Sequence, residues 1–505
     1  MTLELFFSDA QFDIMIIIEG QKMGTNKIIE NKLGVRDICI RLNRFSIPSL
    51  LEATFEIGLV ALDSHSSEMD LRYVKSPSSA PWNTNLLFNL CLTKNFKQPE
   101  RDISRNEIVS LLAGCWENFN ITNRDINKTI NSLFFNELIF QQDPWIYLIR
   151  NYFFLVRNSL NENIEIVENP AFGSLTLNLL FIPHFIRLAH FCLEKRKTLK
   201  PNIFRGTYLD ILHELGVLSE LSNDFGLLKG EISQNCDELD TMLSLSPLFN
   251  WPIVKFKEIA YIPCPYMIIT STTYSLINRI SFGIDKKEKI LSKTMENYVW
   301  NIIKEDPQVS DSWPEFEYKV KKNVKRTTDV IFRIKNKIFF CECKLKRASN
   351  PFRQFKEEQI DKLTSELADD LFQTYKCVLD YKTGAFSLGS HDGSHHEIRM
   401  ALIVMESLPP FLIHEVLRLF KEILETKKVE CFENIVQNII IITLYDLESE
   451  CFYGYGVEQA FKITKEKKKT QTNEFLDKLD EMQKKSAEDL LSTETLGKIL
   501  IKNAS

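Results

Sequence analysis

The fold is decided by residues 328–346, TDVIFRIKNKIFFCECKLK. They predict two short apolar strands around a turn at residues 335–337, with Asp329 opening the first strand and Glu342 and Lys344 closing the second. Residues two apart in a strand share a face, so Glu342 and Lys344 project together while Cys341 and Cys343 face the apolar side. The hairpin brings Asp329 to the same sheet edge, and clustered carboxylate oxygens are the ligands that a hard divalent metal prefers.

Length and composition describe an ordered globular protein. The 505 residues suffice for more than one core, and 44% of them are hydrophobic and 26% charged. The sequence contains no uncharged apolar run long enough to span a membrane, and its acidic start does not resemble a secretory signal. Eleven cysteines without a repeating spacing predict reduced thiols. We therefore expect a cytoplasmic protein with no membrane association.

The net charge of -6 conceals a strongly basic segment. Between residues 319 and 347, eleven Lys and Arg side chains accompany only two acids, Asp329 and Glu342. A basic surface around two carboxylates suits a phosphate backbone brought to a metal site. The alternative is a solvated hairpin whose lysines protect a strand edge. The residues predicted to contact nucleic acid are Lys322, Lys325, Arg326, Lys346 and Arg347.

Hydrophobic periodicity divides the chain into four parts. Residues 1–100 predict a mixed segment of helices and strands, and residues 101–250 predict a helical domain, because apolar residues recur there at intervals of three and four. Residues 251–460 predict a domain of strands and helices, and residues 461–505 a charged helical tail. The expected fold class is therefore α+β in the C-terminal half, preceded by a largely α-helical N-terminal region with some strands.

The third part shows a definite order of elements. A helix at 285–304 precedes strands at 316–320, 329–334 and 338–344, and a helix at 352–379 follows them. A strand at 398–405, a helix at 411–426 and an apolar strand at 438–447 complete the order. Glu296 flanks the apolar stripe of the first helix, and the pattern leaves open whether it faces a sheet or solvent. Gln359 interrupts the apolar stripe of the second helix, so it needs a polar partner.

These features resemble the PD-(D/E)XK nuclease superfamily, which has the restriction-endonuclease-like fold. The resemblance rests on Asp329 in TTDVIF, Glu342 and Lys344 in CECK, and the αβββαβ order of elements, and it covers roughly residues 260–450. Thr328 stands where the family's proline is expected, a position that varies in the family. The resemblance says nothing about the first half of the chain.

The resemblance implies a role for each site residue. Asp329 and Glu342, with the carbonyl of Cys343, would hold Mg²⁺ or Mn²⁺, and Glu296 would complete the shell or hold a second ion. Lys344 would position or deprotonate the attacking water. Gln359 would orient Lys344 or contact the nucleic-acid backbone.

The implied function is that of a metal-dependent endonuclease that hydrolyses DNA phosphodiester bonds. The family implies a setting in bacterial restriction or anti-phage defence. Apart from the resemblance, we expect the helical N-terminal region to regulate the nuclease, bind a protein partner or pair with a second copy. One alternative is an inactive nuclease-like fold that serves as a nucleic-acid or protein binding module. Another is a helical interaction protein whose hairpin docks acidic partners.

Other polar clusters have simpler readings. His391, Asp392, His395 and His396 could bind zinc, but they lie among Gly and Ser residues without a cysteine and are typical of a surface loop. Asp446 and Glu448 are read as the solvated end of the apolar strand. The sequence contains no phosphate-binding glycine loop, no nucleophile elbow and no HExxH motif.

Overall fold

The computed structural model describes residues 35–63, 81–92, 144–151, 222–233, 246–257, 287–346, 356–389 and most of 397–462, with parts of 101–111 and 259–275. The chain forms two compact units. Unit 1 comprises Met1–Phe140 and Phe181–Ser271, and unit 2 comprises Gln141–Leu180 and Thr272–Ser505. The structure is of the mixed α/β class, with helices and sheets in the described residues. Among these residues, no helix is long and apolar enough to cross a membrane.

The described elements are numbered in chain order. The helices are α1 Val35–Leu42, α2 Ile47–Asp63, α3 Pro81–Leu92, α4 Pro144–Asn151, α5 Phe225–Ser233, α6 Lys287–Glu305, α7 Glu357–Lys382, α8 Pro410–Thr426, α9 Glu433–Val436, α10 Leu444–Phe452 and α11 Val457–Ala460. The strands are β1 Ser222–Asp224, β2 Ile253–Phe256, β3 Ile259–Tyr261, β4 Asp311–Pro314, β5 Glu317–Val320, β6 Asn323–Arg326, β7 Val330–Ile334, β8 Lys337–Lys344, β9 Glu397–Val404 and β10 Ile440–Thr443.

Unit 1 combines a small helical core with a three-stranded sheet. Ile38 and Leu42 of α1 pack with Leu50 of α2 and with Leu87 and Leu90 of α3, and all five side chains are buried. In the sheet, β1 is parallel to β2, and β2 is antiparallel to β3. Strand β1 lies inside the region that the sequence assigned to helices, and its partner β2 follows the expected boundary at 250–251. The chain passes from one compact unit to the other at 140–141, 180–181 and 271–272.

The central feature of unit 2 is a five-stranded sheet in the order β10-β9-β8-β7-β4. Strand β7 is antiparallel to both β4 and β8, whereas β8, β9 and β10 are parallel to one another. A two-residue turn joins β7 to β8 and pairs Ile334 with Lys337. Lys335 begins this turn with a φ of 54°, a left-handed conformation that lets the chain reverse within two residues.

The expected strand at 316–320 is not part of this sheet, which corrects the sequence-based order. The first strand of the sheet is β4, which pairs Asp311 with Arg333 and Pro314 with Val330. Strand β5 instead pairs with β6 in a separate two-stranded sheet. The chain leaves the main sheet after β4, forms this hairpin and returns as β7. Alternation alone does not reveal which of two adjacent short strands joins the larger sheet.

Both faces of the five-stranded sheet are covered. On one face, Ile338 and Phe340 of β8 pack against Leu367 and Leu371 of α7, and Phe420 of α8 extends the same core. On the other face, the rings of Phe332 and Phe339 stack with their centroids 4.7 Å apart, and Phe461 packs edge-on against both. Cys341 and Cys343 are buried on this second face, as their alternation with Glu342 and Lys344 predicts.

The expected apolar strand at 438–447 is shorter than predicted. It ends at Thr443, whose hydroxyl accepts a hydrogen bond from the backbone N–H of Asp446 while the Asp446 carboxylate accepts from Thr443. This reciprocal capping box begins α10 at Leu444. Asp446 is therefore a helix-capping residue.

Candidate active site

The register of the β7–β8 hairpin brings the two predicted carboxylates together. Val330 pairs with Cys341 at the end of the ladder, so the next position places Asp329 opposite Glu342. Directly opposed residues of an antiparallel pair share a face and have Cα atoms about 4.5–5.5 Å apart. Like charges in this arrangement destabilise a sheet. A contribution to stability therefore does not explain why Asp329 and Glu342 face each other.

Asp329 is held in place by the backbone of β8. The N–H of Cys343 donates to Asp329 Oδ2 at 2.7 Å. In a strand the N–H and C=O of one residue point the same way, so the Cys343 carbonyl is directed to the same side as Asp329. Asp329 Oδ1 makes no hydrogen bond to a described residue. This oxygen is thus available to a ligand.

Burial and crowding perturb both carboxyl groups. Burial, together with the charges of Glu342 and Glu296, raises the pKa of Asp329 to about 8. Burial likewise raises the pKa of Glu342, although the neighbouring Lys344 acts in the opposite direction. A bound cation would offset both effects, because it favours the ionised form of each carboxylate.

Lys344 is held by two carboxylates. Its Nζ lies 3.0 Å from Glu342 Oε1 and 3.1 Å from Asp370 Oδ1. Burial alone would lower the pKa of Lys344, but the charges of Glu342 and Asp370 outweigh it and raise the pKa above its ordinary value. Lys344 is therefore a cation throughout the physiological pH range.

Asp370, which the sequence analysis missed, occupies the role expected of Gln359. Gln359 lies at the first turn of α7, and its side chain makes no hydrogen bond to Lys344. Asp370 lies 11 residues further along the same helix, about three turns or 16 Å away on nearly the same face. The helix face was thus identifiable from sequence, and the position along it was not. One feature of the sequence pointed to Asp370, because this acidic residue directly precedes Leu371, which is buried together with Leu367.

Glu296 lies near the two carboxylates but is paired elsewhere. Its charge affects Asp329 and Glu342, while its own Oε2 lies 2.9 Å from Lys293 Nζ. In the part of the chain that the structure describes, no group of three or more His, Cys, Asp or Glu side chains is arranged to hold a metal ion. The three-carboxylate shell suggested by the resemblance is therefore not formed, and the donor set reduces to Asp329, Glu342 and a backbone carbonyl.

The predicted nucleic-acid contacts differ in their availability. Lys325 donates to Asp380 Oδ2 at 2.7 Å, and Lys346 lies 2.5 Å from Glu366. Arg326 is exposed but lies within 3.7 Å of Glu315 and 3.4 Å of Glu317. Lys322 is exposed without an ion-pair partner among the described residues. Arg347, the loop with His391, Asp392, His395 and His396, and the tail beyond Lys462 lie outside the described residues.

Glu448 is not a solvated residue, which corrects the sequence-based reading. It is buried and accepts hydrogen bonds from Arg150 Nε at 2.8 Å and from the hydroxyl of Tyr298 at 2.9 Å. Arg150 also donates to Met405 Sδ at 3.6 Å. A buried charge requires such partners. Glu448 is therefore buried together with Leu444 and Leu447, whereas the other residues of α10 are partly exposed.

The candidate active site is thus a compact set of side chains at one end of the sheet. Asp329 and Glu342 come from adjacent strands, Lys344 from the end of β8, and Asp370 from the helix that covers this face. The set combines two carboxylates with one oxygen each available and a cation beside them. Comparisons of the chain with protein-family models, with curated proteins and with solved structures find no match.

Proposed function

We propose that unit 2 is a metal-dependent nuclease that hydrolyses DNA phosphodiester bonds. The observation that carries the proposal is the position of Asp329, directly before β7, opposite Glu342 of β8, with Lys344 beside them. The hairpin brings two acidic side chains opposite each other and partly buries both, which costs stability when both are ionised. Such an arrangement is expected where charge is needed for chemistry.

The donor set suits Mg²⁺ or Mn²⁺. Asp329 Oδ1 and Glu342 Oε2 make no hydrogen bond to a described residue, and the Cys343 carbonyl is directed to the same side. Mg²⁺ is commonly bound by one or two carboxylates, with waters and substrate phosphates completing its shell. When bound, the ion would neutralise charge on the scissile phosphate and lower the pKa of a coordinated water. Two carboxylates are therefore enough for this role.

Lys344 contributes positive charge. Because Glu342 and Asp370 keep its amine protonated, it has no lone pair with which to accept a proton from water. Its ammonium can instead stabilise the negative charge that develops on the phosphate oxygens during attack. Of the two roles considered for Lys344, electrostatic stabilisation is the one that its surroundings favour.

The order of elements supports the same proposal. Helix α6, strands β4, β7 and β8, helix α7 and strand β9 follow one another in the αβββαβ order of the family that the sequence resembles. The β5–β6 hairpin is an insertion between the first two strands of the sheet. Asp329 lies at the start of the second strand and Glu342 near the end of the third, as the motif requires.

The test uses the purified full chain, supercoiled plasmid DNA, and Mg²⁺, Mn²⁺ or EDTA. We expect cleavage with either metal and none with EDTA. Asp329→Asn, Glu342→Gln and Lys344→Met should each lower the rate by about 10²-fold or more, because each removes charge from the transition state. Asp369→Asn is a matched control, since Asp369 is an exposed acid on α7 beside Asp370.

Two results would contradict the proposal. The first is a wild-type chain that cuts no DNA with either metal, and the second is cleavage that all three site variants retain. DNA binding that does not depend on metal and is never followed by cleavage would favour the alternative of an inactive binding module. Thermal unfolding of each variant shows whether a lost activity reflects a lost fold.

A further inference from the structure

The β5–β6 hairpin, residues 317–326, forms a ribbon with two different faces. Its register pairs Tyr318 with Lys325 and Lys319 with Val324. Directly opposed residues share a face, so Tyr318 and Lys325 lie on one side and Lys319 and Val324 on the other. We call these the inner and outer faces.

The inner face anchors the ribbon to unit 2. Tyr318 is buried, and its hydroxyl donates to Asp380 Oδ2 at 2.7 Å. Lys325 Nζ donates to the same oxygen at 2.7 Å. The ring of Tyr318 also packs against Phe386, with centroids 4.5 Å apart. Asp380 lies near the end of α7, so the ribbon is fixed to the helix that supplies Asp370.

The outer face and tip are basic and exposed. Lys319, Lys321 and Lys322 are exposed, and none of them has an ion-pair partner among the described residues. Val324 lies between them with 58% of its surface exposed, which is unusual among the large apolar side chains that the structure describes. Lys321 turns the ribbon with a φ of 57°. The ribbon thus presents three unneutralised charges around one apolar side chain.

We propose that this outer face binds double-stranded DNA beside the cleavage site, an inference that rests on the proposed nuclease function. Phosphate contacts by lysine dominate the affinity for nucleic acid, and a two-stranded ribbon fits the major groove of B-DNA. The outer face carries no aromatic residue, whereas proteins that hold single strands stack bases on aromatic rings. The major groove of A-form RNA is too narrow for a ribbon.

The ribbon continues directly into the strand that carries Asp329. At its base, the N–H of Phe316 donates to Thr327 Oγ1 at 3.0 Å, and the N–H of Thr327 donates to the carbonyl of Phe316 at 3.0 Å. Lys322 precedes Asp329 by seven residues, a separation of at most about 23 Å in extended chain. At about 3.4 Å per base pair, the ribbon would contact DNA up to about seven base pairs from the cut.

This surface differs from the one that the sequence predicts. Lys322 remains in it, but Lys325 serves as an inner-face anchor and Arg326 is shared between Glu315 and Glu317. Lys319 and Lys321 take their places. The distinction follows from strand pairing, because alternation separates residues that are adjacent in sequence.

The test is a binding titration of the full chain in EDTA, so that no cleavage occurs. The probes are a fluorescein-labelled DNA duplex, one of its single strands and an RNA duplex of the same sequence. A triple variant with Lys319→Gln, Lys321→Gln and Lys322→Gln is compared with a charge-matched control with Lys421→Gln, Lys428→Gln and Lys462→Gln. The control lysines are exposed and lie outside the ribbon.

We expect the wild type to prefer the DNA duplex and the ribbon variant to lose about tenfold or more in affinity, with a salt slope reduced by up to about 3, since each phosphate contact contributes about 0.9. The control variant should lose less. Equal binding by the two variants, a preference for single strands or RNA, or no binding by the wild type would overturn the inference. Cleavage is measured separately, so duplex binding through the ribbon without cleavage would count against the nuclease proposal alone.

Discussion

At the scale of single residues, the candidate site is one lysine surrounded by three acids. Lys344 contacts Glu342 and Asp370, and Glu342 lies opposite Asp329. Under the proposed nuclease function, Asp370 is therefore a positioning residue. Its negative charge keeps Lys344 protonated and holds the ammonium beside Glu342. Because Lys344 is shared between Asp370 and Glu342, it only partly neutralises the charge of Glu342.

Replacing Asp370 tests this role. Asp370→Asn should lower the cleavage rate by about tenfold to a hundredfold, as the loss of supporting contacts around a metal site commonly does. Gln359→Ala and the control Asp369→Asn should change the rate little. The pH–rate profile is the second readout, because loss of one anion should lower the pKa of Lys344. A Gln359 variant as impaired as the Asp370 variant would restore the sequence-based assignment.

A second residue-scale prediction concerns acid stability in unit 1. Hydrogen bonds from Arg101 and from Ser104 lower the pKa of Glu107 from 4.5 to about 2. As pH falls, the unfolded chain takes up this proton first, so the stability that Glu107 provides is complete above pH 4.5 and is lost toward pH 2.

Glu107→Gln should therefore destabilise the protein at pH 7, by at most about 1 kcal/mol for so exposed a pair. The difference from the wild type should shrink steadily as the pH is lowered below 4.5. Unfolding midpoints in denaturant, measured across this range, check the expectation. A difference that persists or grows in acid would contradict it.

At the scale of elements, one carboxylate contacts both strands of the ribbon. Asp380 accepts hydrogen bonds from both Tyr318 and Lys325, one from each strand of the ribbon. Asp380→Asn should cost about 1–2 kcal/mol, because hydrogen bonds to charged groups are among the stronger ones and Lys325 is partly exposed. The ribbon should loosen, whereas the β7–β8 pair should not.

Hydrogen exchange distinguishes these two elements. In the Asp380→Asn variant, amides of β5 and β6 should exchange faster, while those of β7 and β8 keep their protection. Asp361→Asn, an exposed acid on the same helix, serves as the control. Unchanged protection in the ribbon would show that its anchor lies elsewhere.

At the scale of the whole molecule, one buried ion pair joins distant parts of the chain. Arg150 of α4 and Glu448 of α10 are 298 residues apart in sequence and are both buried in unit 2. Tyr298 of α6 donates to the same carboxylate. Burial alone would lower the pKa of Arg150, but the charge of Glu448 outweighs it and raises the pKa. Three helices thus meet at one carboxylate.

Breaking this pair should be more harmful than replacing it. Arg150→Met alone leaves a buried carboxylate and should cost about 3–5 kcal/mol. The double variant with Arg150→Met and Glu448→Gln should recover part of this loss, because the introduced glutamine is neutral and its carbonyl could still accept from Tyr298. Denaturant unfolding of both single variants and the double variant completes the cycle. Strict additivity would show that the pair does not act as a unit.

The sequence predicted much of unit 2 because its information there is local. The hairpin was predicted with a turn at 335–337, whereas the structure limits the turn to residues 335 and 336, and the resulting register places Asp329 opposite Glu342. The burial of Cys341 and Cys343 follows from the same alternation. The helices α6, α7 and α8 were recognisable from their apolar stripes to within a few residues, apart from the start of α7.

Contacts between distant segments could not be predicted in this way. Asp370 and Gln359 lie on nearly the same face of α7, and only the packing of α7 on the sheet decides which of them meets Lys344. The pairing of Arg150 with Glu448, the choice of β4 as the first strand of the sheet, and the inner and outer faces of the ribbon are further examples.

The sequence by itself therefore determined the hairpin and the strand faces of Asp329, Glu342 and Lys344, because strand alternation acts over a few residues. The register follows from a two-residue turn, which is one residue shorter than the turn at 335–337 that the sequence predicts. The tertiary structure alone decided which groups surround the three motif residues. It placed Asp370 in contact with Lys344, paired Glu296 with Lys293, and left the outer face of the ribbon exposed. The physical reason is that side chains far apart in sequence meet only where helices pack on sheets, and no local pattern encodes the distance along a helix at which they do so.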